Sequence, residues 1–311
     1  MLGKVLVTGG LGNLGSWVSK ALSMLGYEVY ILTRKEKYTM EGYVYKVIEV
    51  DISDIKALKE KLTIQFDFCI HMASYNEFFH ENYPEKALKI NAMGTRNLLE
   101  VLVEKNVKKF IYLSTVHVYG TREGVVKEDD VLSPQNDYAT THLFAEYYVK
   151  QFGVTHELDY AILRLTNSYG TPVFYDNSKW YLVLNNLVKN AYENKLILLK
   201  SNGEVSRDFI WMGDVALVIQ KILSCSCGGI YNLSSMQNYK IINLAEMVKS
   251  VYEKRYNGSI DISLNKKDKT RYKTSLIDNH KLQDLLAYGT KNHFFEEIDK
   301  IFSLLEQHDK R

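Results

Sequence analysis

A chain of 311 residues is long enough to bury a full hydrophobic core, as one large or two modest domains. Hydrophobic residues make up 46% and charged residues 24%, and a net charge of +2 excludes a nucleic-acid binder built on concentrated basic charge. No apolar run approaches the roughly 20 residues that span a bilayer. The chain opens on a strand pattern rather than a charged segment with a signal-peptide core, so a cytoplasmic protein without a membrane partner is expected. Three cysteines, Cys69, Cys225 and Cys227, do not make a disulfide framework, and no further ligands stand at zinc-site spacing. No metal is expected, and Cys225 and Cys227 read as structural.

The first apolar run, Lys4-Val5-Leu6-Val7, reads as a buried strand, and residues 16–22 have the apolar spacing of a helix. Between them lies Thr8-Gly9-Gly10-Leu11-Gly12-Asn13-Leu14-Gly15, with glycines at a GxxGxxG spacing. A strand, a glycine turn and a helix start bring backbone N–H groups and a positive dipole end to one point, which suits a diphosphate. An ordinary glycine-rich turn is the alternative. Residues 28–33 form the second strand and close a βαβ unit. An acid just past this strand would select NAD, whereas an arginine accommodates a 2′-phosphate. The chain has Thr33-Arg34-Lys35 and no acid there, which leans towards NADP unless these cations are a solvated loop.

Residues 45–50 read as a third strand that runs into Asp51-Ile52. The Asp51 carboxylate can accept the adenine amino group, or Asp51, Ser53 or Asp54 can cap the next helix. Residues 66–73 read as a fourth strand, 84–105 as a long helix containing Asn91, and 108–114 as a fifth strand. Strands alternating with helices at this pace predict an α/β fold with a parallel, doubly wound sheet.

Eight motifs make the reading specific. They are Thr8-Gly9-Gly10-x-Gly12-x-x-Gly15, Asp51-Ile52, His71-x-Ala73, Asn91-Ala92-x-Gly94-Thr95, Ser114-Thr115 before Val118-Tyr119-Gly120, Tyr138, Arg164-x-x-Asn167-x-Tyr169-Gly170 and Arg207-Asp208-Phe209-Ile210. In this order they resemble the extended short-chain dehydrogenase/reductases of the NAD-dependent sugar-nucleotide epimerase/dehydratase group. The resemblance implies a Rossmann-type domain (1–170 and 208–240) and a smaller α+β sugar-nucleotide domain (171–207 and 241–311). It implies tightly bound NAD(H) or NADP(H), with contacts from Gly9, Gly12, Asn13, Leu14, Gly15, Thr33 and Arg34. Further cofactor contacts are implied for Asp51, Ile52, Met72, Ala73, Ser74, Asn91, Tyr138 and His142. It also implies a nucleotide-diphosphate sugar as substrate, bound by Thr115, Asn167 and Arg207, with Arg271 a further phosphate candidate.

In such enzymes a tyrosine moves the proton of a sugar hydroxyl while hydride passes to the nicotinamide, and a Ser or Thr shares its hydrogen bonds. Tyr138, after Pro134-Gln135-Asn136-Asp137, and Thr115 stand in those places. Two departures narrow the reading. The motif Tyr-x-x-x-Lys is here Tyr138-Ala139-Thr140-Thr141-His142, and residues i and i+4 share a helix face. The lysine binds the nicotinamide ribose and its charge makes the tyrosine more acidic. Histidine can donate to ribose but is largely neutral near pH 7, so a weaker push on Tyr138 and a pH limb near the histidine pKa are expected. Second, Val116 and His117 stand where dehydratases carry Asp-Glu, which makes a 4,6-dehydratase unexpected. His117 is either an additional acid/base or a packed strand-end histidine.

What the resemblance leaves is oxidation at C4: an epimerase, a net dehydrogenase or a keto-sugar reductase. A GDP-linked manno-configured hexose or heptose used in surface-polysaccharide synthesis is the expected substrate class, and a cofactor-binding homologue without turnover is the rival. A homodimer through helices near 84–105 and 138–156 is implied. The second half is expected to supply a strand at 161–165, helices at 182–192 and 244–255, a strand at 230–233 and a last helix at 294–307.

Overall fold

The computed structural model describes residues 2–34, 39–75, 83–176 and 179–310. The first part runs β1 (Lys4–Thr8), α1 (Asn13–Met24), β2 (Glu28–Thr33), β3 (Lys46–Glu49), α2 (Ile55–Lys61), β4 (Phe68–His71), α3 (Pro84–Ala87), α4 (Gly94–Val103) and β5 (Lys109–Thr115). Next come β6 (Gly124–Val126), α5 (Asp137–Thr155), β7 (Asp159–Leu165), β8 (Asn167–Tyr169), α6 (Val183–Asn194), β9 (Leu196–Leu199), β10 (Ser206–Trp211), α7 (Met212–Ser224) and β11 (Gly229–Leu233). The chain then continues through β12 (Asn238–Lys240), α8 (Ile241–Tyr256), β13 (Asp261–Leu264), β14 (Ser275–Ile277), α9 (His280–Leu286) and α10 (Phe294–Asp309).

Seven strands form one parallel sheet in the order β11-β7-β5-β4-β1-β2-β3, a Rossmann-type doubly wound arrangement. Successive strand residues face opposite sides. Val5 and Val7 therefore pack with Val18, Val215 and Ile219 of α1 and α7. Leu6 packs on the other face with Leu98, Leu102 and Val149 of α4 and α5. Both faces are covered, which is why the strands are apolar throughout rather than alternating. The strand order reverses between β1 and β4, and ligands of open α/β sheets bind outside the carboxyl ends of the strands at such a point.

A separate core holds the last helices together. Leu187 and Val188 of α6, Leu244 and Val248 of α8, and Ile298, Ile301 and Phe302 of α10 close over β9 and β10. Tyr169 and Phe294 stack at 4.1 Å between centroids, and the Tyr169 hydroxyl accepts from the His293 backbone, tying the end of β8 to α10.

Four local features differ from the sequence reading. The helix expected at 84–105 contains a π-helical stretch, Leu88–Met93, between α3 and α4, and Asn91 sits in it. Strands β6 and β14 pair in parallel outside the main sheet, a contact between distant short segments that no local pattern announces. Leu282 and Leu286 of α9 join the core of α7 and β11, and Lys221 donates to the Leu286 carbonyl. The stretch 280–286 thus packs on the sheet, although it lies in the range expected for the smaller domain. Finally, the Cys225 and Cys227 side chains come together in the turn after α7, whose carbonyls accept from the buried Lys109 ammonium.

Candidate active site

The glycine turn closes against β4. Thr8 Oγ1 accepts from the Met72 and Ala73 amides, both at 3.1 Å, and bonds His71 Nδ1 at 2.6 Å. Gly9 has φ +69°, and a Cβ there would lie 3.0 Å from the Ala73 nitrogen, while a Cβ on Gly15 would run into the Gly9 carbonyl oxygen. Helix α1 begins after Gly12 with no side-chain cap, so its first N–H groups have no intrahelical partner. The Asn13 side chain is 8% exposed, and neither its oxygen nor its nitrogen has a hydrogen-bond partner among the described residues. Orphaned donors at a helix start, in a cradle that side chains would fill, fit the diphosphate of a dinucleotide.

Other expected cofactor residues divide. Met72 and Ser74 line the same cleft. Asp54 caps α2 through Lys56 and Ala57, while Asp51 Oδ1 accepts, among the described residues, only from Ser53, which leaves the Asp51 carboxylate able to take another donor. Arg34 is exposed at the end of β2, beside half-buried Thr33, and Lys35 lies outside the described residues. Ile52 is buried against Gly94. Asn91 is a correction to direct cofactor contact. Its side chain is 1% exposed and committed to both backbone groups of Tyr75 and to Thr141, so it holds the cleft-edge loop against α5.

The cleft, cradle included, encloses about 610 Å³, within the range of small-molecule sites. Thr115 ends β5 and accepts from the His117 amide at 3.2 Å, which starts the turn Val116–Tyr119. Asn136 caps α5 by accepting from Ala139 at 2.8 Å, and this sets Tyr138 in the first turn, facing the cleft with Thr115 and His117. The His117 and Tyr138 rings lie 6.3 Å apart. Burial, and then the charge of Arg207, lower the His117 pKa, so it stands as a neutral imidazole at neutral pH.

His142 is 3% exposed and does not line the cleft. Its ring lies beneath Tyr138 with centroids 4.5 Å apart, and its Nδ1 meets the Tyr112 hydroxyl at 2.6 Å. Imidazole is shorter than a lysine chain, and from this position it turns to β5 rather than to the cleft wall. Burial, with added contributions from His71 and His117, pushes its pKa down to about 3. The expected pH limb near the ordinary histidine value therefore does not follow, and direct ribose contact from the cleft wall is not what the structure displays.

Stability should show what activity does not. His71, fully buried between Thr8 and Thr95, is likewise held down to about 3 by burial. The unfolded chain binds these protons near pH 6.5 and the folded chain does not. Stability is thus fully present above about 6.5 and falls towards pH 3, by up to about 1.4 kcal/mol per pH unit for each histidine. Urea unfolding at pH 7 and pH 5 measures this, and His142→Gln should reduce the difference.

On the opposite wall, Asn167 of β8 donates to the Asp208 carbonyl and lines the cleft. Arg207 of β10 lines it too, and its guanidinium has no hydrogen-bond or ion-pair partner among the described residues. Asp208 instead is buried and accepts from Thr166, Ser235 and Gln237, which fixes the loop after β11. Arg271 is exposed and does not line the cleft, so the structure does not bring it to this site. Lys179, Tyr181 and Asn185 do line it and escaped the sequence reading. They lie before and within the first turn of α6, where the regular strand–helix alternation has stopped. The one signal was a cation set among aromatics, Lys179-Trp180-Tyr181.

A model of the NAD dependent epimerase/dehydratase family matches residues 5–234, more than half of the chain. The protein belongs to this family. Human dTDP-D-glucose 4,6-dehydratase is 27% identical over 276 residues, which cover 80% of this chain and 74% of that protein. The UDP-N-acetylglucosamine 4-epimerase of Methanobrevibacter ruminantium M1, in complex with UDP-N-acetylmuramic acid, is 25% identical with a TM-score of 0.84, over 98% of this chain and 99% of that one. Thermotoga maritima UDP-glucose 4-epimerase, solved with UDP-glucose, is 21% identical with a TM-score of 0.83 over 98% and 99% of the two chains, a likeness of fold.

Membership makes the protein an enzyme of NAD-dependent sugar-nucleotide chemistry, and the cradle at Gly9, Gly15 and Asn13 is where the family's dinucleotide fits. Bound there, the cofactor would supply hydride-transfer chemistry. Among the described residues no group of three His, Cys, Asp or Glu side chains could hold a metal ion, and no helix is long and apolar enough to cross a membrane.

Proposed function

We propose that this enzyme is a C4 epimerase of a nucleotide-diphosphate sugar. The observation that carries the reading is one cleft with Tyr138 and Thr115 on one wall and, on the other, two cations, Arg207 and Lys179, without counter-ions among the described residues. Desolvation by the cleft walls disfavours both charges, which is the state of groups awaiting an anion. A diphosphate satisfies them, and the planar fork of Arg207 takes two of its oxygens at once. The sugar is then held against Tyr138. Tyr138 takes the C4 hydroxyl proton as the C4–H bond breaks and the C4 carbonyl forms; Thr115 hydrogen bonds the same oxygen. Return of hydride and proton to the other face of the carbonyl gives the C4 isomer.

Val116 and His117 provide no carboxylate pair next to Thr115, so elimination of water from C5 and C6 has no acid and base in this reading. Uridine and thymidine nucleotides come first as substrates, because the relatives bind or act on such sugars, while the expected GDP-linked manno-configured substrate gains no support from them. Such a product would enter glycan assembly. Arg34 is the residue through which a 2′-phosphate would be accepted, and titration with NAD and NADP separates the two.

The test is incubation with UDP-, dTDP- and GDP-sugars, followed by proton NMR of products and absorbance at the reduced-nicotinamide band. A C4 isomer without net reduction of cofactor supports the reading. A 4-keto-6-deoxy product overturns it in favour of a dehydratase, and a stoichiometric rise in reduced cofactor in favour of a net dehydrogenase. Bound cofactor with no Tyr138-dependent turnover would make the protein a binding homologue.

The molecule also works as a homodimer in this proposal. Leu88 and Met93 of the α3–α4 stretch and Phe144 and Tyr147 of α5 are 40–52% exposed, an apolar face that association would cover. Light scattering should give twice the chain mass, and Phe144→Glu with Tyr147→Glu should give a monomer.

A further inference from the structure

Among the buried polar groups, the pair formed by Tyr112 and His142 has no part in cofactor or substrate binding as described above. Tyr112 lies on β5 and is 2% exposed, and its hydroxyl lies 2.6 Å from His142 Nδ1. His142 Nε2 is buried without a hydrogen-bond partner among the described residues. The two possible arrangements differ in what they leave unpaired. A neutral imidazole has one N–H donor and one bare acceptor nitrogen. If Nδ1–H donated to the tyrosine oxygen, Nε2 would be an unpaired acceptor and the tyrosine hydrogen would have no acceptor among the described residues either. If the tyrosine donates to Nδ1, the only unpaired group is one N–H, on Nε2. Each buried unpaired group costs about 1–3 kcal/mol, so the second arrangement prevails.

The geometry points to Tyr112 as a positioning residue of the active site: its hydroxyl fixes His142 in the neutral tautomer with the proton on Nε2, and so sets an uncharged N–H donor behind Tyr138. This rests on the reading of Tyr138 as the proton-transfer residue. The donor stands at the fourth residue after that tyrosine, where the family motif has a charged lysine, and the two rings are adjacent at 4.5 Å. Among the described residues, the groups facing His142 supply no replacement cation. They are Tyr112 from β5, His71 from β4, His117 from the turn after β5 and Tyr138 from its own helix, with Glu146 of that helix acting on Tyr112. Of these His71 is neutral, and Glu146 is closed by Arg164 and Ser114. An N–H dipole favours charge on a neighbouring oxygen more weakly than an ammonium does, and only while its proton is on the correct nitrogen.

Two measurements test the assignment. In protein labelled with nitrogen-15 histidine, long-range proton–nitrogen correlation reads the tautomer directly, with His142→Gln identifying the signal. The expected result is an Nε2–H imidazole that does not titrate between pH 6 and 8. An Nδ1–H tautomer, or an imidazolium in that range, overturns the proposal. This arm needs neither substrate nor cofactor, so it separates a failure here from a failure of the proposed reaction. In the second arm Tyr112→Phe should raise the pH of half-maximal turnover by about half a unit to one unit, and should leave that pH unchanged in a His142→Lys background, where no tautomer has to be set. An equal shift in both backgrounds, or loss of rate without any shift, would show that Tyr112 serves packing alone.

Discussion

Tyr138→Phe should lower turnover by roughly 10²–10⁴-fold, the usual contribution of a positioned proton-transfer group. The substitution removes one oxygen and keeps the ring that packs on His142, and Asn136 still caps the helix, so the local backbone has no reason to move. Substrate binding should change little, because Arg207, Lys179 and Asn167 on the opposite wall are untouched. The signature is therefore a fall in kcat with KM nearly constant, since the proton is transferred only in the transition state. Single-turnover measurement of hydride transfer checks this. A variant with turnover near that of the parent would remove Tyr138 from the chemistry and point to His117, a titratable group that lines the cleft together with Thr115.

Glu146→Ala should be the most damaging change to stability. Glu146 and Arg164 are 0% and 1% exposed, and the carboxylate accepts from Arg164 Nε at 3.0 Å, from Arg164 Nη2 at 2.8 Å and from the Ser114 hydroxyl at 2.6 Å. Arg164 continues the network to the Tyr119 hydroxyl and the Glu128 carbonyl. Removing the carboxylate leaves a buried guanidinium without its counter-charge, a loss of roughly 3–5 kcal/mol. Urea unfolding measures it. The double variant Glu146→Leu with Arg164→Met should recover a large part, because burying the pair carries a desolvation cost that its attraction must first overcome. Ser114 precedes Thr115, so the single variant should also lose activity at temperatures where it remains folded.

The parallel sheet was readable because its strands are covered on both faces and therefore show as uninterrupted apolar runs. The proposed catalytic pair was readable for a different reason. Thr115 ends a strand and Tyr138 opens a helix, and each carries local signals, a Ser-Thr step in one case and a Pro134–Asn136 approach with an Asn cap in the other. Asn91 shows the limit of such reading. Its motif was legible, but only the π-helical stretch and the loop at Tyr75 reveal that its amide is already committed to the backbone. Lys179 shows the converse, a residue without a motif that tertiary folding carries to the cleft from the segment before α6.

His142 joins both lessons. By itself the sequence determined the Rossmann-type fold, the position of the glycine turn and the absence of a lysine four residues after Tyr138, since periodicity and spacing are properties of neighbours along the chain. The protonation state, direction and partner of the imidazole were decided by tertiary structure alone. They depend on burial and on a tyrosine from β5, and desolvation and hydrogen-bond geometry exist only once distant segments have met.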